Sequence, residues 1–118
     1  MLPIKLDVSP DHVRLTLAVG DGATELTAEG VDRLIRHLAD CRAQMLPIHP
    51  AEPPDDPERV HESDNLLWSV KASPHRAAIR FATQHPGLGW TAMWLSRAQA
   101  EDLTTSIEFE LVKIPEPG

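Results

Sequence analysis

Two stretches of this chain read as copies of one another, and a repeated unit restricts the fold more than any single motif does. VSPDHVRLTLAV (Val8 to Val19) lies over ASPHRAAIRFAT (Ala72 to Thr83), so that Ser9-Pro10 meets Ser73-Pro74 at an offset of 64. LTAEGVDRLIRHL from Leu26 lies over LSRAQAEDLTTSI from Leu95, where the offset has grown to 69. Identities are few. The repeat rests instead on the shared Ser-Pro turn, matching apolar faces and matching element order.

The first copy, residues 1–45, reads as three strands and a helix. Ile4, Leu6 and Val8 alternate with Lys5 and Asp7, the period of a half-buried strand. Ser9-Pro10-Asp11 reads as a turn, because Pro presets a turn dihedral and Asp bonds nearby backbone. Val13, Leu15, Leu17 and Val19 share one face of a second strand, and Gly20-Asp21-Gly22 turns the chain into a third over Ala23 to Leu26. Thr27 suits a helix N-cap with Glu29 in the first turn. Val31, Leu34, Ile35 and Leu38 then make an apolar stripe at helical spacing, extended by Cys41 and Met45.

The second copy, residues 66–112, predicts the same order. Trp68, Val70 and Ala72 correspond to Ile4, Leu6 and Val8, and Ala77, Ile79, Phe81 and Thr83 to the inward face of the second strand. Five extra residues fall around HPGLG. Ser96 with Gln99 makes a capping-box pattern, followed by a stripe of Ala100, Leu103, Ile107 and Leu111. IEFELVKI also fits a final strand, but correspondence with the first helix favours helix to about Leu111.

The connector, residues 46–65, is acidic, holds five prolines between Pro47 and Pro57, and has no hydrophobic period. It reads as a semi-rigid spacer. The expectation is one α+β domain, 1–118, of two tandem βββα units. Its sheet is mostly antiparallel, with both helices packed on one face. One continuous six-stranded sheet is the simplest arrangement, and two facing three-stranded sheets the alternative.

Composition narrows function chiefly by exclusion. A net charge of −7 with the eleven Lys and Arg scattered argues against nucleic acid, whose affinity comes from clustered cations displacing counterions. The single cysteine, Cys41, leaves no internal disulfide and no CxxC-type zinc site. At the end of an amphipathic helix it reads as core filler, since the helix dipole there disfavours a thiolate. MLPIKLDVSPD shows no long apolar stretch of a signal peptide, and no window approaches the ~20 apolar residues of a membrane span. Cytoplasmic location without membrane association is the expectation.

No catalytic constellation emerges. The six histidines, His12, His37, His49, His61, His75 and His85, form no pair at ligand spacing, so no metal is expected. Asp55, Asp56, Glu58, Glu62 and Asp64 lack the glycine turn of a calcium loop and read as a solvated linker. Gly87-x-Gly89 has no following helix start to cradle phosphate and reads as a hairpin loop. No serine sits in a nucleophile-elbow pattern. No cofactor is expected either.

Trp90 and Trp94 are the exception. In a strand running WTAMWL they share a face with Ala92, and the repeat sets Trp94 opposite Glu25 of the first copy. A charged residue there marks the face as the one away from the helices. Its neighbours Ala78, Arg80 and Ala82 are small or cationic, so this face becomes an apolar platform with two tryptophans. Such patches mark interfaces. The expected function is a non-enzymatic protein-interaction module, an adaptor, immunity-type inhibitor or chaperone. It would form a homodimer or hold a protein partner through Trp90, Trp94, Arg80, Ala92, Ala82 and Ala78. The alternative is a small-ligand binder or minor enzyme with a cleft between the units, using Trp90, Trp94, Arg80 and His85.

Overall fold

The computed structural model describes residues 3–64 and 67–117. The junction of connector and second copy at residues 65–66 lies outside the described residues. The chain divides into two compact units, Met1–Val60 and His61–Gly118.

In the first unit, β1 (Ile4–Val8), β2 (Arg14–Val19) and β3 (Gly22–Thr27) form an antiparallel sheet in the order β1-β2-β3, followed by α1 (Ala28–Ala43). The β1–β2 turn is fixed from the Ser9-Pro10-Asp11 sequence. The Ser9 hydroxyl donates to Asp11 and accepts from the Arg14 amide at 3.1 Å. Asp11 Oδ1 also accepts the Val13 amide at 3.3 Å. These donors, the Ser9 hydroxyl first and the Val13 amide next, hold the Asp11 carboxyl below its usual range. Gly20 supplies the positive φ of 59° that the two-residue β2–β3 loop requires. Thr27 caps α1 by accepting the Gly30 amide at 3.1 Å.

The second unit repeats the order with β4 (Trp68–Ser73), β5 (Ala78–His85), β6 (Gly89–Ser96) and α2 (Arg97–Leu111), and its sheet runs β4-β5-β6. The duplicated pattern therefore holds element for element, including the helix at the end of the chain. The six strands make two three-stranded sheets instead of one continuous sheet. Each is completed by strands that follow one another along the chain. Relative to β2 and β3, strands β5 and β6 are each two residues longer and their loop is one longer, which accounts for all five extra residues around HPGLG. Ser96 and Gln99 close a reciprocal capping box. Val13 and Ala77, expected on strand faces, sit in turns instead. Ala77 has φ 50° and ends the short 3-10 turn Pro74–Arg76.

The apolar faces match the sequence periods. Val8, Leu6 and Ile4 pair with Leu15, Leu17 and Val19. Ala72, Val70 and Trp68 pair with Ile79, Phe81 and Thr83. The helices cover these faces only in part. Val31, Leu34 and Ile35 of α1 are half-buried, whereas Leu38, Cys41 and Met45 are exposed. Cys41 is thus surface, not core filler. A helix of 16 residues runs about 24 Å, longer than a strand of six residues at about 20 Å, so its final turn, with Cys41, extends past the sheet. In α2 only Ala100 is even half-buried, and Ile107 and Leu111 stand out. Among the described residues Ala82 alone is buried.

Two expectations follow. Ser96→Ala removes the hydroxyl that accepts the Gln99 amide and lowers unfolding free energy by about 1 kcal/mol in urea denaturation. Because the Asp11 pKa is depressed in the folded chain, its contribution is present at neutral pH and lost as pH falls through the folded value. An NMR titration should find the Asp11 carboxyl ionising below the usual aspartate range, with Ser9→Ala moving it back up.

Candidate partner-binding face

The β5–β6 register decides what this surface holds. Arg80 pairs with Trp94, Ala82 with Ala92, Gln84 with Trp90 and Ala78 with Ser96, all directed to one side of the sheet by strand alternation. The opposite side carries Ile79, Phe81 and Thr83 against Leu95, Met93 and Thr91. Helix α2 lies over that second side, since Ala100 and Thr104 face Ala72 and Ile79 across a shared groove. By strand alternation the six residues singled out from the sequence share the helix-distal face, although Ala78 at its edge also lines the α2 groove.

Their exposures differ. Trp90 is 53% exposed and Trp94 38%, so two large apolar rings meet solvent. Arg80 and Ala92 are exposed and Ala78 is half-buried. Ala82, at 3%, is buried in the middle of the platform, with Ala92 opposite and both tryptophans on its diagonals. It supports the face and offers no contact area of its own.

Three contributors were missed in the sequence. Arg76 lies in the turn before β5, where no periodicity places a side chain, yet its guanidinium sits 3.8 Å from the Trp94 ring centroid. Lys71 and Ser69 come from β4, opposite Arg80 and Ala82. Reading the alternation of β4 as closely as that of β6 would have found both.

The long hairpin that presents Trp90 is held by His85. Its Nδ1 accepts the Gly87 amide at 3.0 Å and the Leu88 amide at 3.1 Å, and Gly89 takes φ 74° to return the chain. The His61 ring meets His85 edge-on at 5.8 Å. His85 is thus a turn-fixing residue; it lies apart from the tryptophan pair's polar neighbours.

Chemically, the face offers aromatic area together with guanidinium, ammonium and hydroxyl groups. No group of three or more His, Cys, Asp or Glu side chains that could hold a metal occurs among the described residues. The groove of about 650 Å³ between α2 and the β4–β5 end is open and contains none of Trp90, Trp94, Arg80 or His85. No described helix is long and apolar enough to cross a membrane. No protein-family model, curated protein or solved structure matches the chain.

Proposed function

We propose that this protein is a non-enzymatic interaction module that self-associates and engages a protein partner through the Trp90/Trp94 face. The observation that carries the partner reading is the pair of exposed tryptophans, set on a β platform whose centre, Ala82, is already dry. Exposed aromatic anchors around a packed centre are the pattern of interface hot spots. A cluster of this kind on an isolated chain costs solubility, and binding removes that cost.

Self-association has separate support. The chain exposes 10823 Å², whereas even two entirely separate compact units of half its mass would expose only about 7,600 Å². The excess therefore lies within the units, whatever their placement. Part of it belongs to the extended connector. Much of the rest is apolar: Ile4, Leu6 and Val8 on β1, Trp68 and Val70 on β4, Met93 on β6, and the α2 stripe through Ile107 and Leu111. Obligate homodimers remove roughly 1,000–2,500 Å² from each chain, an amount of the size required here. A two-fold pair is the commonest such assembly.

The two parts are tested separately. The double substitution Trp90→Ala and Trp94→Ala should abolish capture of the partner while circular dichroism and solution mass stay unchanged; retained capture would overturn the assignment of this face. For self-association, sedimentation should give twice 13.0 kDa. Tm should rise by about 3 °C per tenfold increase in concentration. A monomer whose Tm does not depend on concentration would refute it.

A further inference from the structure

The helix-distal face of the second unit is locally cationic in a chain of net charge −7. Lys71 stands directly opposite Arg80 across β4–β5, and Arg80 directly opposite Trp94 across β5–β6. Arg76 stacks on the same Trp94 ring at 3.8 Å. Three cations are thus strung along one side of the tryptophan. Among the described residues none of the three has a carboxylate within ion-pair distance; the ion pairs formed are Arg14–Glu25, Arg33–Glu29, Arg97–Glu101 and Lys113–Glu110. The strand positions of this face (Ser69, Lys71, Ser73; Ala78, Arg80, Ala82, Gln84; Trp90, Ala92, Trp94, Ser96) include no Asp or Glu at all.

The first unit shows what the same positions look like when balanced. At the registers of Lys71 and Arg80 it holds Asp7 and Thr16, and at those of Ala78 and Trp94 it holds Arg14 and Glu25, which pair at 3.2 Å. Like charges directly opposite one another across antiparallel strands destabilise a sheet. Local folding thus gains nothing from Lys71 facing Arg80, whereas an anionic group placed over both would convert repulsion into charge-assisted hydrogen bonds.

We infer that this row recognises a carboxylate-rich segment of a protein partner, its acidic groups over Lys71 and Arg80 and an apolar side chain against Trp94 and Trp90. The inference rests on the reading of this face as a partner surface. A second copy does not fit face to face here, because a two-fold contact centred on the face would set the cation row against itself. A nucleic acid would carry its phosphates on across the surface of an acidic chain, where long-range repulsion opposes it.

Two measurements test this. The first needs no ligand: Lys71→Gln and Arg80→Gln should each raise Tm by about 2 °C at low ionic strength, with the gain vanishing in high salt. A fall in Tm for both would show that the opposed charges are stabilising as they stand and would overturn the inference. The second uses dye-labelled peptides of alternating Glu and Leu, with alternating Gln and Leu as the neutral control and a single-stranded DNA oligomer as the competing polyanion. Binding of the Glu peptide should be salt-sensitive and weakened about two- to fivefold by each Gln substitution. Equal binding of the neutral peptide, tighter binding of DNA, or no binding at millimolar peptide overturns it. If the tryptophan substitutions abolish partner capture while Lys71→Gln and Arg80→Gln leave it intact, the face stands as an interface and only its acidic specificity falls.

Discussion

The antiparallel register of β5 on β6 is the constraint on which the candidate site depends. Side chains alternate strictly across a strand, so a slip of one residue would exchange Trp90 and Trp94 for Thr91 and Met93 on the helix-distal face. The long hairpin resists that slip through three local devices. Ser96 holds the far end by capping α2, His85 accepts two amides in the loop, and Gly89 turns the backbone where a side chain would be strained. A small-residue row of Ala78, Ala82 and Ala92 then lets the rings lie close to the sheet. The candidate surface follows from the geometry of pairing more than from any motif.

A second constraint is size. Each unit has about 60 residues and one helix over three strands, near the lower limit at which a single apolar core sustains a fold. The helices lie over β2–β3 and β5–β6, and the large apolar residues of β1 and β4 stay in solvent. The two faces of the second unit consequently differ in kind. The side under α2 is mainly apolar, with the Thr83–Thr91 pair toward the hairpin end, and is suited to completing a core. The other carries aromatic rings among unpaired cations, suited to recognition. Assigning self-association to the first and partner binding to the second needs no surface to serve both.

Much of this was legible in the residues. The repeat predicted the order βββα twice, the capping residues Thr27 and Ser96 and the long second hairpin. The contrast of Glu25 with Trp94 identified the helix-distal side as the one that carries both tryptophans. Cys41 was misread because helical periodicity reports which side of a helix is apolar, not how far the sheet beneath it extends. Arg76 was invisible because turn residues have no period, and its contact with Trp94 comes from the turn geometry that ends at Ala77. Lys71 was available in the alternation of β4 but acquires meaning only once Arg80 is its cross-strand partner.

The sequence by itself determined local structure and facing, because hydrophobic period, turn chemistry and caps act over a few neighbouring residues. Tertiary structure decided which residues meet across strands, how the sheet divides and how much apolar surface stays uncovered. Those properties depend on pairing partners distant in the chain and on the relative lengths of helix and strand. No local pattern encodes that Lys71 faces Arg80 while Arg76 covers Trp94. The fold alone brings them together.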